Sequence, residues 1–99
     1  MRIMTSADNT VKMENLTFVP ELISITAGTS VHWVNVDDVA HNVTSNPGTL
    51  GCDPSSSENF DSGRVEKGGT FDHTFNTQGS FSYHCEIHGC EMNGTIKVT

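Results

Sequence analysis

Turn-forming residues interrupt this chain roughly every eight to twelve positions, and no stretch carries apolar residues at helical spacing. That punctuation excludes a helical bundle and predicts an all-β Greek-key sandwich of about seven to eight short strands. Candidate strands are residues 10–13 continuing loosely to 18, then 22–26, 30–35, 41–44, 70–75, 80–85 and 94–98. Pro20 opens the second, and Ala27-Gly28-Thr29 turns the chain into the third. Val31 and Trp33 alternate with His32 and Val34. Phe81, Tyr83 and Cys85 alternate with Ser82 and His84, which puts the first three on a buried face. His32 and His84 are accordingly expected at the surface. His73, sharing a face with Phe71 and Phe75, is expected to be half-buried.

The 99 residues suffice for one domain, 1–99, with a modest core. Between Ser45 and Gly69 periodicity fades into turn chemistry such as Asn46-Pro47-Gly48 and Asp53-Pro54-Ser55. A loop of that length in a small domain is expected to be functional or pinned. No apolar run approaches the ~18 residues a membrane-spanning helix needs. The segment Met1-Arg2-Ile3-Met4-Thr5-Ser6 has no apolar signal-peptide region and reads as a mature or truncated chain with an added start methionine.

Five Lys/Arg against twelve Asp/Glu give a net charge of −7. Nucleic acid, which demands a basic surface, is excluded on that balance. Encounters with basic partners would be steered by this charge and weakened by salt; solubility alone is the plainer reading. Asp37 and Asp38 bring part of the charge close to His41.

The last strand-forming region holds the chemistry. Cys85, His88 and Met92 offer a thiolate, an imidazole and a thioether within one short loop, and His41 lies in the upstream strand-like His-Asn-Val-Thr. Soft sulfur with imidazole selects copper, and two His, one Cys and a weak axial Met make a mononuclear one-electron centre. Glu91 is the fallback oxygen ligand and Cys90 a rival sulfur. If Cys85 holds metal, Cys52 and Cys90 remain of the three cysteines. Either they are free thiols, or they pair and close a loop of roughly 40 residues worth about 4 kcal/mol, in an oxidising compartment. The Cys-x4-Cys spacing of Cys85 and Cys90, with no histidine after Cys90, does not suit a binuclear copper site. Five histidines are too few for the trinuclear cluster that a His-Cys pair serves in multicopper oxidases.

These residues resemble a cupredoxin, nearest to plastocyanin, amicyanin and pseudoazurin. The resemblance runs from Phe18-Val19-Pro20 through Trp33 and His41-Asn42-Val43 to Phe71-Asp72-His73-Thr74-Phe75, Gly79-Ser80-Phe81-Ser82-Tyr83 and the Cys-x2-His-x3-Met-x-Gly ending. It implies one copper per chain, held by His41, Cys85, His88 and Met92. It implies a buried His41 and a solvent-edged His88 that passes electrons to a docked redox protein, with Asn42 tying the two ligand-bearing segments together beside the Cys85 sulfur. The implied role is a monomeric, exported one-electron carrier (periplasmic, lumenal or extracellular) and not an enzyme, with copper storage or delivery as the alternative. Three features depart from the family. The three residues between His88 and Met92 fall between amicyanin-like and plastocyanin-like loops, Cys90 lies inside the loop, and Ile87 stands where a proline is common. The restored Ile87 N–H is expected to donate to the Cys85 sulfur and raise the reduction potential.

Overall fold

Residues 9–45 and 59–99 are described by the structure, a computed structural model. Seven strands form: β1 (Thr10–Glu14), β2 (Thr17–Val19), β3 (Leu22–Ile25), β4 (Thr29–Asn35), β5 (Thr70–Phe75), β6 (Gly79–Cys85) and β7 (Gly89–Val98). They lie in two sheets, ordered β2-β1-β4-β5 and β3-β7-β6, with no helix among the described residues. β1 runs parallel to β4, and β3 parallel to β7. The remaining pairs are antiparallel. Parallel neighbours need crossover connections, here made by chain passing from one sheet to the other.

The inward rows follow the period-2 pattern. Val11, Met13, Phe18, Val31, Trp33 and Phe75 come from one sheet; Ile25, Phe81, Tyr83, Cys85, Met92, Ile96 and Val98 come from the other. Trp33 sits between them, its ring centroid 5.4 Å from Tyr83 edge-on and 5.6–5.7 Å from Phe71 and Phe60. Aromatic edges meeting aromatic faces add to the apolar burial that holds the layers together. Burial keeps the Tyr83 phenol protonated far above the ordinary range.

The structure departs from the expected elements in four places. The first strand breaks in two at Asn15-Leu16, both in the left-handed region at φ 56° and 61°. That is the backbone of a two-residue hairpin turn, and Leu16 gives no turn signal in sequence. The expected strand at 41–44 is only bridged, His41 to Val65 and Thr44 to Asp61 and His84. β7 begins earlier than expected, at Gly89, whose φ of 93° turns the chain back from the Cys85 loop.

The fourth departure is His84, expected at the surface and in fact fully enclosed. Alternation along β6 takes no account of chain laid beside it. Thr44 joins the free edge of β6 through two backbone bonds to His84, and the His84 ring turns to Glu86, Nε2 to Oε2 2.6 Å. His32 is exposed and His73 intermediate, as the pattern predicts. The loop at 46–58, with Cys52, lies outside the described residues.

Candidate metal centre

Three of the four expected ligands converge at one end of the sandwich. The ligand atoms of His41, Cys85 and His88 all lie within 4.8 Å of one another. Cys85 is the last residue of β6, and a tight turn closed by His88 N–H to Cys85 C=O (3.3 Å) brings the histidine back over it. His41 arrives from the other side, pinned by paired backbone bonds with Val65 at 3.0 and 2.7 Å. The two imidazoles meet edge to face, centroids 4.7 Å apart.

Burial divides the candidate ligands. His41 and Cys85 are 0% exposed, whereas the His88 side chain reaches solvent. Met92 is buried in the inward row of β7 with Gly94, Ile96 and Val98. Register pairs Asn93 with His84, so Met92 lies one step further toward the Cys85 end of β6.

Hydrogen bonds select which nitrogen of each ring is left for a metal. His41 Nδ1 faces the Cys85 sulfur at 3.7 Å, while Nε2 is taken by Asp37 Oδ2 at 2.7 Å. His88 Nε2 lies 3.1 Å from the Ala40 carbonyl, leaving Nδ1 free. An outer partner of this kind fixes tautomer and ring orientation. One cysteine sulfur and two Nδ1 atoms, close together and largely dry, form a donor set that suits copper.

Asn42 links the two halves. Its N–H donates to Cys85 Sγ at 3.4 Å and its side-chain oxygen accepts the Glu86 N–H at 2.6 Å. The sulfur's backbone donor is thus Asn42. Ile87, expected to donate to Sγ, makes no such bond; it occupies the outer corner of the Cys85–His88 turn with its side chain 44% exposed. Cys85 is the free cysteine among the described residues, whereas Cys90 is disulfide-bonded and so is no rival thiolate. Glu91 points to the exposed side of β7.

Sequence reasoning placed Asp37 near the metal end but missed what it does. Burial raises the energy of its charge, yet the N–H groups of Leu16 and Asn15 and the His41 ring outweigh this and hold the carboxyl below its ordinary range. Asn35, fully buried, organises the loop. Its side-chain amide donates to the Val39 and Val65 carbonyls at 2.9 Å, and its oxygen accepts the Asp37 N–H. The signal was present: Asn-x-Asp directly after a strand is an Asx-turn sequence.

Comparison with known proteins agrees with this geometry. Residues 5–99 match the family of copper-binding proteins of the plastocyanin/azurin type. An amicyanin of Paracoccus versutus is 32% identical over 89% of this chain, which spans 62% of that protein's length. A plastocyanin of Scenedesmus fuscus is 33% identical over 84% of the chain and 87% of the relative. Among solved structures, a purple cupredoxin from Nitrosopumilus maritimus superposes with a TM-score of 0.76 at 26% identity, covering 91% of this chain and 98% of that one. Sequence, fold and donor set converge, and the chain belongs to the plastocyanin/azurin family of copper-binding proteins.

Proposed function

We propose that this protein is a one-electron carrier whose single copper is held by His41, Cys85, His88 and Met92. The observation that carries the reading is the split in burial: Cys85 and His41 are fully enclosed, and His88 alone of the clustered ligands reaches the surface. Bound copper supplies a Cu(I)/Cu(II) couple, with sulfur ligands tolerated by the reduced state and imidazoles by the oxidised one. The chain holds the ligands still. Cys85 is fixed at the end of β6, the Ala40 carbonyl and Asp37 fix the two rings, and Asn42 locks the ligand loop to the His41 segment. Little rearrangement then accompanies each electron.

The exposed edge of His88 is the proposed exit. Exposed apolar side chains at Val36, Val39 and Ile87, 40–46% accessible, stand on the segments linked to it and would dock a redox protein. In the same region Arg64 bonds to Glu66 and Lys67 to Asp38, so these cations are matched by acids. With a net charge of −7, the partner's docking surface is proposed to be basic, and association should slow as salt rises. The working unit is proposed to be a monomer with no catalysed turnover of its own. A Cys52–Cys90 disulfide, supported by the bonded state of Cys90, fits an exported protein in an oxidising compartment.

Copper delivery is the competing role, and it requires exchangeable, exposed ligands. Stopped-flow self-exchange and chelator competition separate the two. Fast electron self-exchange with slow copper loss is expected; rapid copper loss to a chelator would reverse the assignment. The axial role of Met92 has its own test. Met92→Leu removes the thioether at nearly constant volume, with an expected stability cost under about 1.5 kcal/mol. It should keep the thiolate-to-copper band but raise the potential, as measured by voltammetry; an unchanged potential would count against Met92 as ligand.

A further inference from the structure

The two ligand histidines are held from behind by partners of different charge. His88 Nε2 faces a neutral carbonyl, that of Ala40, whereas His41 Nε2 faces the carboxylate of Asp37. The Asp37 side chain is 14% exposed and the His41 ring is wholly buried, so the charge beside that ring is poorly screened by water. The carboxylate is also fully engaged. Its Oδ1 accepts the Asn15 N–H at 2.7 Å, and Oδ2 accepts the Leu16 N–H at 3.0 Å together with the His41 ring. Both N–H groups come from the left-handed turn between β1 and β2, so three donors converge on one anion.

We infer that Asp37 is a positioning residue that holds His41 as its Nε2–H tautomer and, through that bond, shifts the copper equilibrium toward Cu(II). The inference rests on the copper reading of the site. A carboxylate behind an imidazole raises its basicity. A more basic ligand, with a negative charge beyond it, favours the more highly charged ion. The sign follows directly: with the charge present the reduction potential is lowered, and with it removed the potential rises. The Ala40 carbonyl behind His88 exerts no such pull, so the oxidised state is stabilised from the buried side of the site. No sequence motif marks this role, because it depends on where the Asn35-anchored loop sets Asp37 against the β1–β2 turn.

The rival account is that Asp37 merely tethers that turn. Asp37→Asn and Asp37→Glu separate the two, read by voltammetry of the copper-loaded proteins alongside urea unfolding. Asp37→Asn keeps the shape and one acceptor but loses the charge. It should retain the thiolate-to-copper band and shift the Cu(II)/Cu(I) balance about tenfold toward Cu(I), which for one electron is about 59 mV. Asp37→Glu, which keeps the charge, should return within about threefold of the wild-type balance, against the about tenfold shift of the asparagine variant. A potential unmoved in Asp37→Asn, even with lowered stability, would leave only the tether and overturn the inference. So would a glutamate variant that shifts as far as the asparagine one.

If Asp37→Asn fails to fold, the wild-type Cu(I) protein decides by imidazole NMR. The His41 Nε2 proton, bonded to an anion, should resonate well downfield of its His88 counterpart, bonded to a neutral carbonyl. Equal shifts would contradict the inference. A wild-type protein lacking the thiolate band would instead sink the copper reading itself, so the two failures are distinguishable.

Discussion

Replacing Cys85 by serine should abolish the intense visible band of the copper-loaded protein and lower copper affinity by more than about a hundredfold. Loss of a mere outer partner of a metal ligand already costs about 10–100-fold, and Cys85 is proposed as the ligand itself. Serine offers a hard, protonated oxygen where the site presents two imidazole nitrogens and wants a soft third donor. The effect should be confined to the metal. Cys85 is 0% exposed, and serine is slightly smaller, so the hydroxyl fits and can accept the Asn42 N–H that now reaches the sulfur. Copper titration followed by absorption, with an unfolding curve on the apoprotein, checks both halves. An undiminished band in Cys85→Ser would remove the thiolate from the account.

The second large effect lies in the sheet behind the site. Gly94→Ala should destabilise the protein by about 3 kcal/mol, the upper end for forcing a methyl into a packed core. A Cβ at Gly94 would stand 2.5 Å from Tyr83 Cζ and against its hydroxyl. Tyr83 cannot retreat. It is fully buried, opposite Gly94 in the β6–β7 register, with Phe18 packed on it at 4.6 Å and Trp33 at 5.4 Å. For a chain of this size the midpoint of thermal unfolding should fall on the order of 15 °C. Tyr83→Phe in the same chain removes the clash with oxygen but not that with the ring carbon, so rescue should be partial. A loss below about 1 kcal/mol in Gly94→Ala would mean that the sheets separate easily at this point. Because Gly94 follows Met92 by two residues and Tyr83 precedes Cys85 by two, the same strain should also broaden the copper spectrum.

What could be read from residues alone followed from short-range physics. Alternation placed Trp33, Phe81, Tyr83 and Cys85 inward, and the soft-ligand loop with an upstream His-Asn-Val named the three residues that cluster. The misses share a cause: each depends on chain that is distant in sequence. His84 obeys the alternation of β6 yet is buried, because the 41–45 segment adds to that edge. Ile87 makes no bond to the Cys85 sulfur; the N–H of Asn42, 43 positions away in sequence, takes that place. The Asp37–His41 bond needs the β1–β2 turn set against the Asn35 loop; the Asx-turn at Asn35 is legible locally, but nothing local places the β1–β2 turn beside it. The hairpin at Asn15-Leu16 was invisible for the same reason. A leucine in the left-handed region is disfavoured by itself, and here the Asp37 carboxylate binds the N–H groups of both turn residues.

Cys85, His41 and His88 are proposed to bind one copper as a thiolate-bearing, electron-carrying centre. That binding is tested most directly by adding Cu(II) to the apoprotein and recording visible and EPR spectra on one sample. Saturation at one copper per chain, an intense thiolate-to-copper band and narrow copper hyperfine splitting are expected. A colourless protein with the wide splitting of ordinary Cu(II) would contradict it.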